Sequence, residues 1–247
     1  MNKGINLIMP MGGGGVRFFD NGYKIPKPLL EINGKPFFYW ATQSISKFVS
    51  LKSLTFVVLQ DHIDNFKIDE EIYKFYPEAN IVTLNHILNG AVLTCLEGVK
   101  GINNDAPIIF NDCDHLFRCS SFIEFCERGN FQNIDGALLT FTSTDPKFSF
   151  LQYDEAGNVV KTVEKVAISE DAICGAYYFK NKDIFARAVE TYLQTCQYKE
   201  FFVSGVYNIM AKQKMIIKGF PVDFHLPFGT PDEYMEAKDS KLFSEVE

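Results

Sequence analysis

The sequence predicts an α/β fold, a mixed but mainly parallel sheet flanked by helices, as one domain over residues 1–247. Two observations carry this. Over the first 120 residues short apolar runs alternate with stretches of helical period, the pattern of βαβ units. No linker rich in Gly, Pro or Ser, no repeat and no low-complexity tract divides the chain, and 247 residues suit one large core.

The elements follow in order. Ile5–Met11 is an apolar run that stops at Gly12, Gly13, Gly14 and Gly15, so a buried strand feeding a loop is expected. Residues 12–28 keep no period and contain Gly22, Pro26 and Pro28, which predicts a long loop. Long loops inside compact domains are usually functional. Phe37, Trp40, Ala41, Ile45 and Phe48 recur at helical spacing behind Pro36, a favoured first helical residue. Next come a strand over 54–59, a helix over 70–76 stopped by Pro77, a strand over 81–84, a helix over 91–99 and a strand over 107–111. Beyond Ser120 the pattern shifts to strands over 134–142 and 148–153. The latter joins 159–163 as a hairpin through Glu155-Ala156-Gly157-Asn158. A strand over 174–180 and helices over 184–196 and 202–211 complete the reading.

Composition excludes several classes. No apolar run approaches the roughly 18 residues of a membrane span, and no cleavage site follows the N-terminal apolar stretch, so a cytoplasmic location is expected. Net charge is -7, which argues against a nucleic-acid surface. The charge is uneven, however. Residues 1–36 hold Lys3, Arg17, Lys24, Lys27 and Lys35 against Asp20 and Glu31, and the acidity lies in the remainder. Such an arrangement suits a small anionic ligand. Six cysteines without a CxxC pair read as reduced core thiols, and four histidines lack zinc spacing. Whether the chain forms a homo-oligomer is left open.

In parallel sheets ligands sit beyond the carboxyl ends of the strands. Two segments fall there. Gly12, Gly13, Gly14 and Gly15, after the first strand, can turn backbone N–H groups toward one point as a phosphate nest. The segment is neither a Walker A loop nor a GxGxxG. Lys27 stands between Pro26 and Pro28, which hold its backbone stiff. Asp112 and Asp114 follow the fourth predicted strand, and paired carboxylates there suit Mg²⁺ with waters and phosphate oxygens. An ordinary flexible loop and an Asx turn are the competing readings of the two segments.

Residues 12–36, GGGGVRFFDNGYKIPKPLLEINGKP, resemble the signature of the sugar-phosphate nucleotidyltransferases: G-x-G-x-R, then P-K-P-L and G-K-P. Asp112-Cys113-Asp114 resembles the family's N-x-D, with Asp112 in place of the usual asparagine. Val163-Glu164-Lys165 resembles its E-K element, Gly175-Ala176-Tyr177-Tyr178-Phe179 its G-x-Y-x-F strand, and Gly229-Thr230-Pro231-Asp232-Glu233-Tyr234 its closing element. The resemblance implies a nucleotide-diphospho-sugar transferase-like (Rossmann-like) fold, with a nucleotide-binding half over 1–120 and an acceptor-binding half over 121–247. It implies an Mg²⁺-dependent transfer of a nucleoside monophosphate from a nucleoside triphosphate to a small phosphorylated acceptor, with release of pyrophosphate.

The implied roles follow residue by residue. Arg17 and Lys27 act as the catalytic cations. Met11, Gly12, Gly13, Gly14, Gly15, Asn89 and Gly90 bind the nucleotide. Glu164, Lys165 and Gly175 bind the acceptor, and Asp114 and Asp112 hold the metal. The family's further aspartate falls near Pro227 here, so Asp223 is the nearest substitute ligand. The compact chain looks like the cytidylyltransferases of bacterial surface-polysaccharide pathways, and more narrowly like those of capsule biosynthesis that use phosphoglutamine. CTP is therefore the expected nucleotide. Two rivals remain: a glycosyltransferase reading Asp112-Cys113-Asp114 as its D-x-D, and a non-catalytic nucleotide-binding regulatory subunit.

Overall fold

The structure, a computed structural model, describes residues 4–247, so Lys3, counted above among the cations, lies outside the described residues. The first half runs β1 (Ile5–Met11), α1 (Val16–Asp20), β2 (Glu31–Ile32), β3 (Lys35–Pro36), α2 (Phe37–Ser46), β4 (Leu51–Leu59), α3 (Gln60–Phe66), α4 (Ile68–Phe75), β5 (Asn80–Leu84), α5 (Ala91–Val99) and β6 (Ile108–Asn111). The second runs β7 (His115–Arg118), α6 (Ser120–Arg128), β8 (Gly136–Thr142), β9 (Ser149–Tyr153), β10 (Val159–Glu164), β11 (Asp171–Phe179), α7 (Lys182–Thr195), α8 (Val203–Lys212), β12 (Ile217–Pro221), β13 (Phe224–Pro227) and α9 (Pro231–Ala237).

One sheet organises the chain, in the order β10-β9-β11-β6-β1-β4-β5, with β8 beside β11 and β12 beside β8. β6, β1, β4 and β5 are mutually parallel, as the alternating pattern predicts. The runs of β1, β6 and the second half of β4 are continuous because both faces are covered, whereas β5, at the sheet edge, is buried only at Leu84. Ile8, Val57 and Phe110 point into one core, against α5, α7 and α8. Leu7, Met9, Phe56, Val58 and Ile109 point into the other, with α2, α4 and α6. β11 runs antiparallel to β6, β8 and β9, which makes the sheet mixed.

The close seat of α5 on the sheet has one weak point for substitution. A Cβ at Gly98 would lie 2.6 Å from Ile8 Cγ2 and 2.9 Å from Val57 Cγ2, both fully buried. Overpacking of this kind costs about 1–3 kcal/mol, against about 1 kcal/mol gained in helix propensity. Gly98→Ala should therefore lower the melting temperature. A thermal scan checks this, and an unchanged or higher midpoint would mean that the helix can lift from the sheet without cost.

A third, aromatic cluster ties the C-terminal segment to the N-terminal loop. Phe18, Phe37, Trp40, Phe228, Tyr234 and Phe243 pack together. Trp40 Nε1 donates to the Ile32 carbonyl at 2.9 Å, and the Tyr234 hydroxyl donates to the Glu31 carbonyl at 3.0 Å. The expected long loop over 12–28 is thus more ordered than its lack of period suggests. Burial of Phe18 draws α1 out of it, and Lys27–Leu29 close into a 3₁₀ turn.

Candidate active site

Two cavities open at the carboxyl ends of β1 and β6. The larger, about 510 Å³, lies between the glycine loop and residues 87–91. A Cβ at Gly12 would meet Leu84 Cδ1 at 2.7 Å, so glycine here lets the loop pass close to β5 without displacing the Leu84 side chain. Gly15, at φ 62, starts α1, and its carbonyl accepts the Phe18 and Phe19 N–H groups.

The smaller cavity, about 200 Å³, sits where β11 parts from β6. Ala176 and the residues after it pair with β6, whereas Ala172 pairs with Phe150 of β9. Gly175 stands at this fork with φ 93. Its carbonyl accepts the Asp112 N–H at 3.0 Å, and a Cβ there would fall 2.7 Å from Asp112 Oδ2. Gly229 leaves similar room beside Asp114 Oδ2.

Lys27 joins the site across the chain, its Nζ donating to Asp114 Oδ2 at 2.6 Å. Burial alone would lower the Lys27 pKa, but the Asp114 carboxylate more than offsets this and holds the ammonium above its ordinary value. Burial would likewise raise the Asp114 pKa, and Lys27 overrides it and holds the carboxyl below the usual range. Asp112 goes the other way, pushed up to about 7 by burial and by the Asp114 charge beside it. His115 is pulled down to about 4 by burial, so it is neutral, and its Nε2 pairs with Asn111 Oδ1 at 3.0 Å. Among the described residues, both ring nitrogens of His225, on the wall of the smaller cavity, have no partner.

The sequence-predicted residues divide as follows. Gly12, Gly13, Gly14, Asn89 and Gly90 line the larger cavity, and Arg17, Asp112, Asp114 and Gly175 the smaller. Lys27 reaches the latter through Asp114. Met11 is buried on the α2 side of β1 and lines neither. Glu164 is buried too, its Oε1 accepting the Ser149 hydroxyl at 2.5 Å and the Ser204 hydroxyl, so it braces Ser149 on the cavity wall.

Two expectations do not match the geometry. Lys165 is exposed, with φ 57, and its Nζ lies over the Phe202 ring, 5.3 Å from the centroid, rather than in the smaller cavity. Asp223 is not brought to the other two aspartates. Its Oδ2 accepts from Ser120 N at 3.1 Å and Ser120 Oγ at 2.6 Å, on a separate cavity, because the link between β12 and β13 turns it toward the start of α6. Among the described residues no group of three His, Cys, Asp or Glu side chains could hold a metal, so Asp112 and Asp114 stand as a pair. Conversely Lys147 and Glu200 line the cavities although no motif marks them, and Glu233, part of the closing element, lines the smaller one without an implied role. Lys147 Nζ meets Glu233 Oε1 at 2.9 Å, an ion pair made by residues that no motif joins.

The sequence model of the family described as "Nucleotidyl transferase" matches residues 5–242. No curated protein matches the chain in sequence. Among solved structures, a nucleoside-diphosphate-sugar pyrophosphorylase from Vibrio cholerae RC9 superposes with TM-score 0.84 at 23% identity, over 95% of this chain and 100% of that one. The inositol-1-phosphate CTP transferase from T. maritima gives 0.75 at 15% identity, over 99% and 95%. HddC from Yersinia pseudotuberculosis gives 0.69 at 18%, over 95% and 98%. These likenesses carry the fold: a nucleotide-sugar transferase-like single domain. Among the described residues no helix is long and apolar enough to cross a membrane.

Proposed function

The chain belongs to the nucleotidyl transferase family, and from that premise we propose that it transfers CMP from CTP to a small phosphorylated acceptor, phosphoglutamine or a sugar phosphate, in bacterial capsule or surface-polysaccharide synthesis. The observation that carries this reading is the Lys27–Asp114 pair beside Asp112, set between a glycine-rich cavity and a smaller, charged one.

An acceptor phosphate is already an anion at pH 7, so its oxygen attacks the α-phosphorus without a general base. A bond forms from that oxygen to the α-phosphorus, and the bond to the bridging oxygen of pyrophosphate breaks. What remains for the protein is alignment and neutralisation of spread charge. In this reading the glycine-loop N–H groups hold the triphosphate, while Arg17 and Lys27 meet the charge that builds during transfer. Arg17 lines the smaller cavity, where the acceptor phosphate would enter.

The donor set fits Mg²⁺: two hard oxygen ligands, with room beside them kept by Gly175 and Gly229, and a carboxyl whose raised pKa marks an uncompensated charge. When bound, the ion would neutralise phosphate oxygens and help order them. Asp112 and Asp114 would hold it, with Lys27 released from Asp114 toward the phosphates.

A pH dependence follows. Asp112 keeps its proton up to about pH 7, and a ligating carboxylate must lose it, so cation binding below pH 7 releases one proton. Apparent Mg²⁺ affinity should rise about tenfold per pH unit below 7 and level off above it. His115, at about 4, adds nothing in this window. Calorimetric titration of Mg²⁺ between pH 5.5 and 8 checks it. A flat profile, or the same slope in Asp112→Asn, would remove Asp112 from the ligand set.

The function itself is tested by pyrophosphate release with each of the four nucleoside triphosphates against sugar 1-phosphates, phosphocholine and phosphoglutamine. Release that needs one triphosphate and one acceptor supports the reading. Consumption of a nucleotide sugar without pyrophosphate would replace it with glycosyl transfer.

A further inference from the structure

Among the described residues Glu200 is the only charged residue lining the larger cavity, whose other walls include Pro10, Val16, Leu88 and Ala91. The cations and the aspartate pair lie instead at the smaller cavity. A triphosphate would be repelled by an uncompensated carboxylate and drawn to Arg17 and Lys27. The triphosphate then lies at the Arg17 end of the glycine loop, and the nucleoside is the part that extends into the larger cavity, toward Glu200.

The backbone holds Glu200 in that position. The Val92 N–H donates to the Phe201 carbonyl at 3.1 Å, and the Phe201 N–H donates to the Asn89 carbonyl at 3.4 Å. These bonds lace the segment before α8 to the loop before α5. Gly90, at φ 97, makes the approach feasible, since a Cβ there would lie 2.6 Å from the Phe201 carbonyl oxygen. Among the described residues nothing pairs with the Glu200 carboxylate: its side chain makes no ion pair or hydrogen bond.

We propose that Glu200 selects the nucleobase by accepting a hydrogen bond from an exocyclic amine, favouring cytosine over uracil and thymine. An ionised carboxylate only accepts. Cytosine offers the N4 amine at the position where uracil and thymine place a carbonyl oxygen, and acidic side chains pair with that amine. Uracil would set acceptor against acceptor and leave both without a donor. The inference rests on the nucleotidyltransferase reading and names the residue that sets its base preference.

Equilibrium titration of the wild-type protein and Glu200→Gln with CTP and with UTP, in the absence of acceptor, tests it. A glutamine amide both donates and accepts, so it can serve either pyrimidine. The wild type should bind CTP roughly tenfold or more tightly than UTP, and Glu200→Gln should shrink that ratio by roughly tenfold. An unchanged ratio overturns the proposal. So does equal weakening of CTP and UTP together with loss of the wild type's discrimination against 2′- or 3′-deoxy-CTP, which would place the carboxylate on the ribose. The measurement needs no turnover. A protein that discriminates the bases in binding but releases no pyrophosphate with any acceptor would refute the transferase reading and leave this one standing.

Discussion

Lys27→Ala is expected to lower kcat by roughly 10²–10³, a loss of about 3–4 kcal/mol of transition-state stabilisation, the range seen when one donor to a developing anion is removed. The geometry gives the reason. Lys27 is the cation in contact with the aspartate pair, at 2.6 Å from Asp114 Oδ2, with its side chain only 26% exposed. Pro26 and Pro28 and the 3₁₀ turn over Lys27–Leu29 fix its backbone, so little ordering is needed at the moment of transfer. Without it, Asp114 loses the charge that holds its carboxyl low. Steady-state rates at saturating Mg²⁺ and triphosphate are the measurement. A change below about fivefold would take Lys27 out of the transition state.

Gly90→Ala should have the second large effect, on stability and nucleotide binding together. Gly90 has φ 97 and ψ 161, a region that residues with a Cβ scarcely enter. An added Cβ would also collide with the backbone N and O of Phe201, which cannot rotate away as a side-chain tip could. Strain and clash together should cost about 3 kcal/mol, or a fall of roughly 6–12 °C in melting temperature for a chain of this size. Because the same contact holds the segment carrying Glu200, the dissociation constant for the triphosphate should rise at least about tenfold. Thermal unfolding and nucleotide titration check the two parts. A variant with wild-type stability and wild-type affinity would show that residues 199–201 do not shape the cavity.

How much of this was legible in the sequence depended on burial. β1, β6 and the second half of β4 are covered on both faces, so they appear as apolar runs, and α5 has the bounds its period predicts. α1, α3, α6, β2, β3, β7, β12 and β13 leave no such mark in the sequence. Except for α6 they are short, and β13 is only half-buried along its length, so neither period nor apolar density marks it. The glycine loop and Asp112-Cys113-Asp114 were readable because each directly follows a buried strand. Their meeting through Lys27 was not, since 87 residues separate Lys27 from Asp114.

The positions of Glu164, Lys165 and Asp223 have physical causes as well. Glu164 points inward to two serines at the end of β10, and the left-handed backbone of Lys165 then swings its side chain out toward Phe202. Proximity in sequence to Pro227 points to Asp223, but the turn it occupies faces Ser120. Lys147, Glu233 and Glu200 come from three separate segments that only the folded chain assembles around the cavities.

The most direct test of the central claim is ³¹P NMR of the product formed from CTP, Mg²⁺ and the accepted phosphorylated acceptor. The expected result is one equivalent of pyrophosphate and a new diphosphate, two mutually coupled phosphorus signals joining CMP to the acceptor's own phosphate. Inorganic phosphate with CDP, or an acceptor whose phosphorus signal never becomes coupled, would contradict nucleotidyl transfer at this site.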